Sequence, residues 1–254
     1  MRLAVLVIAL LLTAGPAHAA DVPSIAAASD LQLVLPEIAS AFTRDTGAAV
    51  KLTFGSSGNF RRQIAEGAPF ELFLSADEGY VRALQEEGKA RDEGALYATG
   101  RIAVVASIDS PLVTDAALEH LTSALAAGQV KRFAIANPEH APYGRAAQQA
   151  LTHAGLWDAI QPLLVLGENV AQAAQFATSG SAQGGIISYA QALALAKRLR
   201  VRYALIPAEW HAPLRQRMVL MKNAGTTARA FYRYVQGDFA REVLARHGFA
   251  MPAP

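Results

Sequence analysis

The stretch AVKLTFGSSGNFRRQIAE, residues Ala49–Glu66, decides the fold. Ala49 to Phe54 reads as a strand, with Val50, Leu52 and Phe54 alternating against Lys51 and Thr53. Phe60 to Glu66 reads as a helix, and Ser56-Ser57-Gly58-Asn59 lies between the two. A short strand running through small polar residues into a helix is half of a βαβ unit. The same sentence is written on either side. Upstream, Ile25–Ala28 is a strand, Ser29-Asp30 follows it, and Leu31, Val34, Leu35, Ile38 and Phe42 form the apolar face of a helix. Downstream, Glu71–Ser75 leads through Ala76-Asp77 into a helix over Glu78–Glu87.

Further along, strands are expected at Ile102–Ala106, Phe133–Ala136, Gly185–Ser188, Val201–Ile206 and Met218–Met221. Helices are expected at Ala116–Ala127, Gly144–Ala154, Val170–Ala177, Gln191–Leu199, Thr226–Val235 and Asp238–Arg246. Such alternation predicts mostly parallel sheets covered on both faces. The units are too many for one small sheet, and no linker or internal repeat divides the chain. We therefore expect two α/β lobes: residues 21–100 with 220–254, and residues 101–219. The strands Ile102–Ala106 and Met218–Met221 are the expected crossings between them.

Of the 254 residues, 52% are hydrophobic and 17% charged, which excludes disorder as the main state. The absence of cysteine removes disulfides, thiolate nucleophiles and iron–sulfur clusters. With 23 basic against 21 acidic residues, no basic face for nucleic acid is indicated. Arg2, the apolar run Leu3–Leu12 and Ala17-His18-Ala19 make residues 1–20 an expected signal peptide, cleaved after Ala19 or Ala20. No cysteine follows that run, so the expected product is a periplasmic protein and not a lipoprotein.

Catalytic motifs are missing. Gly55-Ser56-Ser57-Gly58 lacks the spacing of a nucleophile elbow, and Gly88-Lys89-Ala90 lacks the rest of a phosphate loop. The six histidines stand apart, with no metal-binding spacing. What stands out is small polar residues where helices begin: Ser29-Asp30, Ser56–Asn59, Ser75–Asp77, Pro142–Gly144 and Asn169-Val170. Taken singly, each is an ordinary helix cap. Together, at strand ends, they describe an anion site built from backbone N–H groups and hydroxyls.

At these residues the chain resembles the periplasmic molybdate/tungstate-binding proteins of ABC importers. The resemblance rests on Ala27-Ala28-Ser29, Phe54–Ser57, Arg62-Gln63-Ile64, Gly67-Ala68-Pro69 and Leu72–Asp77. It continues through Asn137–Gly144, Gly167–Val170 and the closing His247-Gly248-Phe249. It implies a type II periplasmic-binding fold, with two lobes and hinge crossovers closing a cleft on a tetrahedral dianion. It also implies uncharged contacts from Ser29, Ser57, Ala76, Tyr143 and Val170, with only the backbone of Asp30 facing the anion and its carboxylate capping the next helix or turned away. Molybdenum would be present only within molybdate, with no direct metal ligand and no cofactor. Many members of the family place an anion-contacting tyrosine near Gly185-Ile186-Ile187. Here Ser188 is aligned with it and Tyr189 follows, so these two are secondary candidates. A one-residue displacement in a strand turns a side chain to the other face, which leaves the Tyr143 phenol as an alternative. Arg61 and Arg62 are expected on the surface or at the closing lobes. The implied partners are the oxyanion and a membrane permease, for a monomeric protein that delivers its ligand. Another tetrahedral oxyanion, sulfate or phosphate, is the alternative. An enzyme on the same fold is remote, since hydroxymethylbilane synthase attaches its cofactor through cysteine.

Overall fold

The structure, a computed structural model, describes residues 22–252; the expected signal peptide, residues 1–20, lies outside them. The chain opens with β1 (Ser24–Ala28), α1 (Leu35–Thr46), β2 (Lys51–Gly55), α2 (Ser57–Ala65), β3 (Leu72–Ser75), α3 (Glu78–Glu86) and β4 (Ala95–Gly100). It continues with β5 (Ile102–Ser107), α4 (Glu119–Ala126), β6 (Phe133–Ala136), α5 (Pro142–His153) and α6 (Trp157–Ile160). Then come β7 (Leu164–Gly167), α7 (Val170–Thr178), β8 (Gly184–Ser188), α8 (Tyr189–Ala196) and β9 (Val201–Leu205). It closes with β10 (Leu214–Leu220), α9 (Thr226–Val235) and α10 (Asp238–Arg246).

Two five-stranded sheets result, in the orders β2-β1-β3-β10-β4 and β7-β6-β8-β5-β9. The two orders correspond strand for strand, so each lobe is the same arrangement entered at a different point. Within each sheet three strands are parallel, β2-β1-β3 and β7-β6-β8, and the remaining two run against their neighbours. The expectation of mostly parallel sheets therefore holds for only half of the pairings. Parallel neighbours need a crossover helix, whereas β10 and β5 each enter from the other lobe without one and run against the strands on both sides.

The crossings also differ from expectation. The chain leaves the first sheet between Gly100 and Ile102, and returns through residues 206–213. Ile102–Ala106 is wholly paired with β8 and β9, and Met218 and Leu220 lie inside the first sheet. The expected boundary between residues 219 and 220 thus cuts through β10, which pairs along its length with β3 and β4. Apolar strands mark the middle of a sheet rather than the passage between sheets. Helix α1 begins at Leu35 rather than Leu31, because Pro36 fits only a first turn and Ser29–Leu31 form a 3-10 turn ahead of it.

Burial follows the two-residue period of the strands. In the first sheet Ile25, Ala27, Leu72, Leu74, Met218 and Leu220 face α1, α9 and α10, while Ala26, Phe73 and Val219 face Phe60, Ile64, Val81 and Leu84 of α2 and α3. Phe42 of α1 meets Phe231 of α9 edge to face, with ring centroids 5.2 Å apart. The C-terminal helices thus complete the core of the first lobe. Among the described residues no helix is long and apolar enough to cross a membrane. Phe231 is fully buried, so we predict that Phe231→Ala costs about 3–5 kcal/mol. Thermal unfolding checks this; an unchanged Tm would detach α9 from the core.

Candidate functional site

The parallel strands β1, β2, β3, β6 and β7 all end on the side where the lobes meet. There a small cavity, of about 10 Å³, is lined by Ala28, Ser29, Asp30, Gly55, Ser56, Ser57, Ala76, Ala141, Pro142, Tyr143, Asn169 and Val170. Of the expected residues, the structure brings Ser29, Asp30, Ser57, Ala76, Tyr143 and Val170 around this one space. No lysine, arginine or histidine is among the lining residues. Helices α2, α5 and α7 all begin there, and neither α2 nor α5 has a side-chain cap. Asn169 does cap α7, accepting from Ala171 and Gln172. Helix N-termini concentrate partial positive charge and unpaired N–H groups, so this cavity suits an anion without a formal cation. Ser57 Oγ accepts the Ala76 N–H at 3.0 Å and keeps its own proton to donate.

The lobes are held together around this cavity. Ser56 Oγ donates to the His140 carbonyl at 2.6 Å and exchanges a hydrogen bond with Nδ1 of the same residue at 2.9 Å. The Gly58 N–H donates to that carbonyl as well, at 3.0 Å. A Cβ on Gly58 would fall 2.5 Å from the carbonyl oxygen, so only glycine lets α2 approach this closely. Arg145 reaches across to Tyr80 at 2.7 Å and pairs with Asp77. Arg61 and Arg62 take no part in the cavity: Arg61 pairs with Glu87, and Arg62 with Asn59 of its own helix.

The chain matches the family described as bacterial extracellular solute-binding proteins over residues 23–250. The molybdate-binding protein ModA of Rhodobacter capsulatus is 33% identical over 92% of this chain and 90% of its own length. That of Azotobacter vinelandii is 35% identical over 94% of each. This chain belongs to the ModA family of extracellular solute-binding proteins. The solved periplasmic molybdate-binding protein of Azotobacter vinelandii superimposes with a TM-score of 0.82 at 32% identity, covering 91% of this chain and all of that one. The sulfate-binding protein SubI of Mycobacterium tuberculosis, at 15% identity and a TM-score of 0.76 over 91% of this chain and 87% of its own, shares the fold alone.

Three expectations drawn from the family are corrected by the geometry. Ser188 and Tyr189 do not line the cavity. Ser188 caps α8, accepting from the Gln191 N–H, and Gln191 Nε2 in turn donates to the Ser29 carbonyl at 3.3 Å. Tyr189 is the first residue of α8, not a strand residue, and its ring lies against Tyr203, so the strand-face argument does not apply to it. The Tyr143 phenol is engaged elsewhere, donating to Asp30 Oδ2 at 2.9 Å. The Asp30 carboxylate is turned away from capping: it is fully buried and also receives Gln216 Nε2 at 2.5 Å. Tyr97 completes the group, donating to Gln216 Oε1 at 2.7 Å.

Gln216 and Tyr97 were not foreseen. The signal for Gln216 was present in Leu214-Gln216-Met218, an inward-facing alternation with arginines on the other face, but β10 had been read only from Met218. Burial pushes Asp30 up to about 6, although the bonds from Gln216 and Tyr143 favour its charged form. Burial, and then the nearby Asp30 charge, push both Tyr143 and Tyr97 well above the ordinary phenol range. Because the folded pKa of Asp30 lies above the ordinary carboxylate value of 3.8, its ionisation costs stability. That cost is absent below pH 4, grows as pH rises to about 6, and levels off near 3 kcal/mol beyond. Asp30→Asn retains the acceptor oxygen and removes the charge. We predict a higher Tm than wild type above pH 6, with the gap closing toward pH 4; a gap independent of pH would assign the burial cost to another group.

Proposed function

We propose that this chain captures molybdate, and tungstate with it, outside the cytoplasm and delivers it to the permease of an ABC importer. The carrying observation is the cavity itself: strand-end turns from both lobes, three of them opening helices, enclose one small space with hydroxyl and N–H donors and no cation. A fully ionised tetrahedral dianion can accept from many such donors at once, whereas a monoanion that must also donate meets fewer acceptors. The relatives at 33% and 35% identity, named for molybdate, support that oxyanion over sulfate or phosphate. Ser29 and Ser57 contribute hydroxyl and backbone donors, Tyr143, Val170 and Asp30 contribute backbone donors, and the Ala76 N–H orients the Ser57 hydroxyl toward the anion. The chain binds rather than transforms its ligand and acts as a monomer, with residues 1–20 as its export signal. Closure of the lobes on the anion gives the permease a shape to recognise.

Calorimetric titration of the mature chain with molybdate, tungstate, sulfate and phosphate tests the assignment. Tight binding of the first two and far weaker binding of the others is expected; sulfate binding as tight as molybdate would overturn it. Ser57→Ala removes a donor to a charged ligand, worth about 1.5–3 kcal/mol, so molybdate affinity should fall roughly ten- to a hundredfold. The same change leaves the Ala76 N–H without its acceptor, so a modest fall in Tm accompanies it. A fall in Tm with unchanged affinity would reduce Ser57 to a structural role.

A further inference from the structure

Asp30 is the one acidic residue lining a cavity read as a dianion site, and its carboxylate is buried in the wall behind it. Its carboxylate is fully buried, and its two oxygens are treated unequally. Oδ2 takes both side-chain donors, Tyr143 from the second lobe and Gln216 from β10, while Oδ1 is buried with no side-chain partner among the described residues; the Asp30 and Leu31 N–H groups also lie close and favour the charged form. No cation answers its charge. The titratable groups facing it are Tyr143 on α5 and Tyr97 on β4, both phenols whose own values its charge raises.

The other elements packed against the Ser29–Leu31 turn supply no counter-charge. Helix α7 carries no titratable residue, and on α8 the only one is Tyr189, whose ring is tilted against Tyr203. On β2 it is Lys51, at the exposed far end of the strand. On β10, Arg215 and Arg217 alternate to the opposite face and bind Glu78. On α5, Arg145 is committed to Tyr80 and Asp77, and His153 stacks on Trp210.

We propose that the oxyanion is captured together with a proton, and that Asp30, clasped between Tyr143 and Gln216, is the group that takes it up as the lobes close. The inference rests on the anion reading of the cavity. A dianion and a buried carboxylate in one low-dielectric space repel, and repulsion is relieved when the carboxylate binds a proton from bulk water and becomes a neutral carboxyl. Oδ1 is the oxygen that receives it, since Oδ2 already accepts twice. Separation of the lobes withdraws the Tyr143 donor and returns the carboxylate to water, where it releases the proton. Closing and loading therefore shift Asp30 in the same direction: even without an anion, burial in this structure holds it at about 6.

The sign follows from linkage. A group that holds its proton more tightly in the bound form makes affinity fall as pH rises between its free and bound pKa values, by up to tenfold per unit, and leaves affinity flat outside that window. The test is calorimetric titration of the mature chain with sodium molybdate from about pH 6 to 9, at each pH in two buffers of different ionisation enthalpy. Wild type should take up a proton, approaching one per anion near pH 6 and fading toward pH 9, with affinity falling alongside. Asp30→Asn places an amide where the protonated carboxyl would be; it should show no uptake and an affinity that no longer varies with pH. Tyr143→Phe removes a bond that favours the charged carboxylate in the bound form, so the upper edge of its window should move to higher pH. Molybdate binding whose heat is the same in both buffers at every pH would overturn the proposal, as would undiminished uptake in Asp30→Asn. Failure of the wild type to bind molybdate at any pH would instead overturn the reading of the cavity.

Discussion

In a βαβ unit the helix starts where the preceding strand ends, and this places helix N-termini along one edge of each sheet. Here α2, α5 and α7, with the turns after β1 and β3, bring those edges face to face across two lobes. The positive field at the cavity is thus a property of the backbone, and side chains adjust it. Small residues at the strand ends, Ala28, Gly55, Ser57, Ala76 and Ala141, line the cavity and let the backbone come close to it. Much else in the structure is arranged to hold those edges in register.

The holding is largely polar. His140 offers a carbonyl that receives a hydroxyl from Ser56 and an N–H from Gly58, so one residue of the second lobe satisfies the start of a helix in the first. Gln191 does the converse, reaching from α8 to the Ser29 carbonyl. Such contacts are modest in net energy because each replaces a bond to water, about 0.5–1.5 kcal/mol. Contacts of that size suit the opening and closing proposed for the lobes. The apolar cores, by contrast, are mostly internal to each lobe, with only Ala28, Ala76 and Leu214 of the first lobe's strands and turns joining the core of the second.

Asp30 departs from this economy of neutral donors. It places a buried carboxylate beside the proposed anion site, with Tyr143, Gln216 and Tyr97 as a closed polar chain around it. A purely structural hydrogen-bond acceptor could have been an asparagine, at no cost in charge. The carboxylate adds a dependence on pH that the other cavity residues lack.

The sequence by itself determined the strand–helix alternation, the two-lobe class and the polar residues at helix starts, because these follow from local periodicity and from N–H groups that every helix leaves unpaired. Thr226–Val235 and Asp238–Arg246 were legible to the residue for the same reason, since a Gly precedes each helix and strong apolar periodicity runs through both. Family resemblance added the candidate contacts, and the cavity brings six of them together. Only the tertiary structure decided which strands run antiparallel, where the chain crosses between lobes, and what Asp30, Tyr143, Ser188 and Tyr189 touch. For Tyr143 and Asp30 the deciding partner is Gln216, 73 and 186 residues away. No local pattern encodes such a distance: a buried carboxylate and a helix cap look alike in sequence until the chain has folded around them.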